Sequence, residues 1–356
     1  MTPTAEEQVR FLLNLQRILQ EGSFVATYKH ALLLAIADVC VEKGDDSGAT
    51  LRVTADELAD KFISYYWRQA APYHPAGRGV AGAVLKQNTG RQASVVNAVT
   101  GARDRFGSLD RLKANARAWR RLRSRVAETI RVMPLWKLQT VGRRRLEFLY
   151  GGSGGGEIEL REGVCYCFRQ FHGLVSELVK GAWLRFVRGV GENRPLLGAA
   201  VELSDFMFGS GRAPLEVYRP LLIGYQAGEC FYCRRALKDR ADVDHFVPWS
   251  RYPVDFGHNF VLAHASCNSQ KGDRLAAVGH LERWCDRNAR HGAEMSAAFG
   301  AGSIAHDEGA SWRITEWAYG QAEKAGSLVW LSGKELTALT PAWRNVLSAA
   351  MKMPAV

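Results

Sequence analysis

Apolar residues recur at helical spacing through the first 75 positions. Val9, Phe11, Leu12, Leu15, Ile18 and Leu19 form one face that stops at Gly22. Ala31, Leu32, Leu33, Ile36 and Val39 form a second that stops near Gly44. A third helix opens at Thr54-Ala55-Asp56-Glu57, a capping box in which the hydroxyl and the carboxylate satisfy first-turn N–H groups, and runs through Leu58, Phe62 and Tyr66. Residues 76–108 are rich in Gly, Asn and Pro and read as a linker or loose loops. Helical spacing returns over 109–132, over 166–190 (Phe168, Phe171, Leu174, Leu178, Trp183, Phe186), and over 278–290 and 333–351. Gly151-Gly152-Ser153-Gly154-Gly155-Gly156 lacks a following Gly-Lys-Ser/Thr, so it reads as a flexible turn between helix and strand, not a phosphate loop.

Composition adds a globular core and a positive balance. Hydrophobic residues make up 47% and charged residues 23% of 356, and the net charge is +11. Such an excess suits a phosphate-rich partner or an anionic membrane surface, and charge alone does not choose between them. The positive charge is densest on the predicted helix at 109–132, where Arg111, Lys113, Arg117, Arg120, Arg121, Arg123 and Arg125 surround Trp119, and Arg143-Arg144-Arg145 follows. A solvated helix face is the plain reading. A DNA phosphate track, with Arg117, Arg120, Arg121 and Arg123 as contacts, is the functional one. The apolar stretch near Ala31–Ile36 is far too short to span a bilayer, and Met1–Arg10 has no export pattern. Seven cysteines, an odd number, point to reduced thiols in a cytoplasm rather than a disulfide framework.

Two cysteine pairs carry chemistry. Cys230-x2-Cys233 and His264-x2-Cys267 each offer two ligands from one turn, and together they supply the four that a closed structural zinc site needs. The alternatives are isolated core thiols or a redox Cys-x-x-Cys, which wants a βαβ context that the pattern lacks. His258 lies near enough to compete, but His264 has the spacing.

Between and beyond the pairs lie Val243-Asp244-His245-Phe246-Val247-Pro248-Trp249-Ser250 and His258-Asn259, then Cys267-Asn268-Ser269-Gln270-Lys271-Gly272-Asp273. Over Cys230 to Asp273 the chain resembles the zinc-bearing HNH nucleases, whose pattern is Asp-His, a middle Asn, and a His or Asn on a short helix. The resemblance implies His245 as general base and Asp244 and Asn268 as ligands of a catalytic Mg²⁺ or Mn²⁺. It implies Asn259 as the residue that fixes the loop and the base. Asn268 stands where the name-giving pattern has His, and His264 where the usual zinc ligand is Cys.

The residue chemistry agrees: phosphodiester hydrolysis needs an activated water and a cation against developing charge, and carboxylate and amide oxygens suit a hard cation. Strands near 242–247 and 259–263 would pair, and Ser266 would cap a helix from 267 to about 276. Lys271, one turn after Asn268, is a candidate phosphate contact. Trp249, Tyr252 and Phe256 could stack on bases, with core packing the favoured use, and His258 could be a second acid, with polar surface the favoured place.

The expected fold is mainly α with a small α+β ββα-metal domain stapled by Zn²⁺. The regions are 1–108 (helices and linker), 109–225 (basic helical), 226–276 (nuclease) and 277–356 (helical). The expected activity is DNA hydrolysis in a defence or restriction setting, one strand at a time, with other defence proteins or a dimer as possible partners and no membrane. A non-catalytic zinc module and an RNA-directed nuclease are the competing functions.

Overall fold

The computed structural model describes residues 1–74, 82–152, 156–197, 200–209, 215–237, 241–302 and 304–352. The three-residue centre of the glycine-rich turn and the first part of the expected linker lie outside them. The chain divides into two compact units, Met1–Ser210 and Gly211–Val356. It is mainly helical, with two-stranded antiparallel sheets.

The first unit opens with α1 (Ala5–Glu21), α2 (Tyr28–Lys43), strand β1 (Leu51–Thr54) and α3 (Ala55–Gln69). Thr4 with Glu7, and Thr54 with Glu57, form complete capping boxes on α1 and α3. α2 is apolar all round, and a helix of that kind belongs in the centre of a bundle. It is buried from Lys29 to Val41 almost without interruption. The free carbonyls at its C-terminal end are held by Arg169, whose Nη1 donates to Cys40 O, Val41 O and Gly44 O at 3.3, 3.1 and 2.9 Å.

Next come α4 (Ser94–Phe106), α5 (Leu109–Ala114), α6 (Ala116–Val132) and α7 (Pro134–Lys137). After them the chain forms β2 (Thr140–Val141), β3 (Arg144–Arg145), β4 (Glu157–Leu160), α8 (Val164–Gln170), α9 (His172–Gly189) and α10 (Ala200–Phe208). α4 falls where loose loops were expected. Val95 and Val96, with Val99 one turn on, bury one face, which outweighs the surrounding Gly and Asn. β4 returns to pair with β1, Val53 opposite Ile158. Leu122, Val126, Ala127 and Ile130 of α6 join the same core as Leu58, Phe62 and Tyr66 of α3. The boundary expected at 108/109 therefore lies inside this unit.

The outer face of α6 bears Arg117, Arg120, Arg121 and Arg125, all exposed. Arg123 does not share that face: it turns onto α3, 3.4 Å from Asp56 and 3.8 Å from Asp60. Its position, two residues from Arg121 and Arg125, is on the other side of a 3.6-residue helix. Residues 101–150 hold 14 Lys and Arg against 4 Asp and Glu, while residues 211–356 hold 17 against 15. The basic excess is thus concentrated in residues 101–150, not in the second unit.

The second unit contains α11 (Arg219–Tyr225), β5 (Asp242–His245), β6 (Phe260–Ala263) and α12 (Ala265–Lys271). α13 (Val278–Ala301), α14 (Glu308–Lys324), the hairpin β7 (Leu328–Ser332) and β8 (Glu335–Ala338), and α15 (Ala342–Met351) follow. The hairpin occupies the first part of the helix expected at 333–351. Gly333, in the left-handed region at φ +52°, makes the turn. β5 and β6 pair antiparallel, His245 opposite Phe260 and Asp242 opposite Ala263. Val243, Phe260 and Leu262 project from one face onto Tyr218, Leu222, Met295 and Phe299. α13 packs behind, with Trp284 stacked on Phe246 at 5.4 Å between ring centres. The N-cap of α12 lies two residues before the expected one. His264 is its N-cap without a side-chain hydrogen bond, Ser266 lies inside the first turn, and Gly272 at φ +54° ends it.

Candidate active site

The zinc pairs meet. The ligand atoms of Cys230, Cys233, His264 and Cys267 all lie within 4.8 Å of one another. A tight turn makes this possible: the Cys230 amide donates to Arg235 O and the Arg234 amide to Cys230 O, both at 2.9 Å, with Arg234 at φ +63°. The Phe231 amide donates to Leu262 O and fastens the turn to β6.

His264 Nε2 lies 3.2 Å from Ala236 O, an acceptor only, so Nε2 carries the proton. The Nδ1 lone pair is then left facing Cys233 Sγ at 3.3 Å. A zinc-binding imidazole is commonly held this way by its second nitrogen. Burial, then the charges of Cys230 and Cys233, push the Cys267 thiol up to about 12. The Cys267 thiol resists ionisation until a cation joins it, and the donor set suits tetrahedral Zn²⁺.

The short strand β5 distributes the remaining groups. Successive side chains of a strand point to opposite faces. Asp242 and Asp244 face α12: Asn268 Nδ2 donates to Asp242 Oδ2 at 3.1 Å, and Lys271 Nζ sits 3.0 Å from Asp244 Oδ2. Tyr232, from within the zinc knuckle, donates its hydroxyl to the same Asp244 oxygen at 2.5 Å. His245 ends the strand on the other face, its ring 4.6 Å from that of Phe260. Its Nε2 is 2.7 Å from Asp255 Oδ1, and both side chains are largely buried. A carboxylate on Nε2–H leaves the Nδ1 lone pair available to take a proton. Asn259 clamps the following loop by accepting from the Val247 amide at 2.8 Å and donating to Val247 O at 3.0 Å.

Several candidates stand elsewhere than expected. Lys271 is fully buried, and its ammonium also donates to His245 O at 2.9 Å, so it faces the protein rather than a phosphate. A buried carboxylate beside it needs that charge. Lys271→Met is expected to lower the unfolding free energy of the second unit by ~3 kcal/mol or more, because the buried Asp244 carboxylate would lose its counter-charge and keep only the Tyr232 hydroxyl; denaturant melts check this. His258 is fully buried as well, not at the surface: Nε2 meets Gly292 O at 3.1 Å and Ser296 Oγ at 3.2 Å, and burial pulls it down to about 4. Tyr252 is buried beside Trp317, and Trp249 lies edge-on to His245.

Three residues with clear contacts to the site were not singled out from the sequence: Asp242, Tyr232 and Asp255. Strand alternation from Asp244 points to Asp242, and the interior of the Cys-x-x-Cys turn points to Tyr232. Asp255 lies in an irregular loop and carries no signal of its own.

Comparison with known protein families gives two matches. Residues 230–277 match the model of an HNH endonuclease (HNH_4). Residues 8–202 match the model of a domain of unknown function (DUF8808). No curated protein and no solved structure matches the chain.

Proposed function

From the premise that this chain belongs to the family of the domain of unknown function DUF8808, which spans more than half of it, and carries an HNH endonuclease domain, we propose that it is a metal-dependent endonuclease of DNA. The observation that carries this reading is the placement of His245 and Asp244 on opposite sides of the end of β5. In-line displacement at phosphorus puts the attacking and leaving oxygens on opposite sides of the phosphate. The strand stops at His245, so a phosphate lying across that end would have the base on one side and the oxygen ligands on the other. In this reading His245 Nδ1 accepts the proton of the attacking water, Asp255 orients the ring, and Asn259 holds the loop that carries it. Asp244 and Asn268 would hold Mg²⁺ or Mn²⁺, which supplies Lewis-acid neutralisation of the developing charge when bound. Cys230, Cys233, His264 and Cys267 would hold Zn²⁺ as a staple with no open position for chemistry.

The exposed arginines 117, 120, 121 and 125 supply a phosphate-binding surface on the first unit. A defence or restriction setting is the biological role we propose, by analogy with other HNH proteins that have helical flanks. Among the described residues no helix is long and apolar enough to cross a membrane.

Asp255 provides a specific expectation. Asp255→Asn keeps the shape but favours the imidazole tautomer protonated on the wrong nitrogen, so cleavage should fall by about a hundredfold or more with DNA binding unchanged. Parental cleavage by this variant would remove Asp255 from the mechanism.

With one His245/Asp244/Asn268 set per chain, one encounter cuts one strand. Supercoiled plasmid should become open circle first and linear later, and the linear product should rise more steeply with protein concentration. RNA treated in parallel should persist. Linear DNA at the earliest times and at low protein would instead reveal a preformed dimer, and preferential loss of the RNA would replace the substrate in this proposal.

A further inference from the structure

Beside the zinc knuckle the second unit has a cleft of about 280 Å³ whose walls include four arginines. Arg283, Arg287 and Arg290 come from one face of α13, at spacings of four and three residues, and Arg234 comes from the knuckle. Two carboxylates also line it, and both are engaged: Glu229 with Arg234 at 3.0 Å and Asp286 with Arg290 at 2.6 Å.

Arg283 and Arg287 have no carboxylate partner among the described residues. Arg287 is buried and spends its donors on Phe260 O, His258 O and the Asn288 amide oxygen, at 2.7 to 3.1 Å. Arg283 donates to Tyr232 O at 3.2 Å and touches His280 Nδ1, and its Nε is buried without a partner. Burial lowers both guanidinium groups, Arg287 to about 9. A buried cation without an anion costs several kcal/mol. A zinc-loaded knuckle, with three thiolates and a neutral imidazole, would carry a single negative charge, too little to offset two guanidinium groups. The unit as a whole is close to neutral, with 17 Lys and Arg against 15 Asp and Glu, so this positive charge is local.

We infer that the cleft binds the phosphate backbone of the nucleic acid, with Arg283 and Arg290 as contacts and Arg287 as a fixed positive charge between them. The distance along α13 from Arg283 to Arg290 is about 10 Å, seven residues at about 1.5 Å each. That covers about three base steps of a strand, at about 3.4 Å each, and exceeds one isolated phosphate. The inference rests on the nuclease reading above, because it assigns part of the substrate's path.

The test uses the full, zinc-loaded chain carrying His245→Ala, so that DNA is bound but not cut. The Kd for a labelled DNA duplex is measured across a KCl series. Arg283→Gln/Arg290→Gln should weaken binding by at least about tenfold at ~100 mM salt and lower the slope of log Kd against log salt by about 2. Because Arg283 also supports the knuckle, exposed Arg290 is tested alone; Arg290→Gln should lower the slope by about 1 with unchanged Tm and zinc content. An unchanged slope in Arg290→Gln overturns the inference. So does inorganic phosphate that binds the chain, loses that binding in Arg290→Gln, and leaves the DNA slope unaltered, since the ligand is then a free anion. Failure of the nuclease reading is seen separately, as absence of plasmid cleavage by the chain with His245 intact.

Discussion

His245→Ala is expected to reduce plasmid cleavage by about a hundred- to ten-thousandfold, the range that a positioned general base contributes. The loss should fall on the chemical step. His245 is at the end of β5 with its ring against Phe260 and its Nε2 on Asp255. Its removal touches neither the zinc cluster nor the exposed arginines of α6. DNA affinity and zinc content should therefore match those of the parent, and the second unit should melt somewhat lower because a buried ring and its hydrogen bond to Asp255 are lost. A variant that cuts at the parental rate would show that another group activates the water.

Cys230→Ser is expected to remove the zinc and, with it, the fold of the second unit. The parent should contain one zinc per chain. Cys230 is buried, and its sulfur also accepts from the His264 amide at 3.4 Å, so the ligand ties the knuckle to the start of α12. Apparent zinc-binding energies are on the order of 10 kcal/mol, comparable to the whole stability of a domain. The effect should reach the catalytic side through Tyr232, which follows Cys230 by two residues and holds Asp244. Metal analysis and melting curves check this: the zinc should vanish and one of two thermal transitions should disappear. The first unit, with its own core from Phe11 to Met207, should still melt on its own. Freshly purified parent without zinc, or a soluble and active Cys230→Ser chain, would contradict it.

Much of this was readable from the residues in order. The capping boxes at Thr4 and Thr54 both form, because cap chemistry is decided within four residues. The zinc cluster was equally local: two pairs with two-residue gaps leave few ways to close a site. What escaped depended on distant partners. β1 and β4 pair across more than a hundred residues, and the alternation of Glu157-Ile158-Glu159-Leu160 does not name its partner. α4 was hidden by its Gly and Asn content, though three valines mark its buried face.

Lys271 and Arg123 were misplaced for a shared reason. A basic residue in or beside a candidate phosphate-binding segment invites a solvent-facing role, yet each is drawn inward by carboxylates on a neighbouring element, Asp244 for Lys271 and Asp56 with Asp60 for Arg123. Asp255 meets His245 only because the loop after Pro248 folds back, and no spacing rule reports that.

The central claim is that the β5 and α12 face uses an added divalent cation to hydrolyse DNA, with zinc serving only as a staple. The most direct measurement is the rate of supercoiled plasmid cleavage by the zinc-loaded chain as Mg²⁺ or Mn²⁺ is titrated in, alongside Asn268→Ala. The expected result is no cleavage without the added ion, saturable cleavage with it, and a much higher ion requirement or no cleavage in Asn268→Ala at unchanged zinc content. Full-rate cleavage without added ion, identical titrations for the two chains, or no cleavage under any of these conditions would contradict the account.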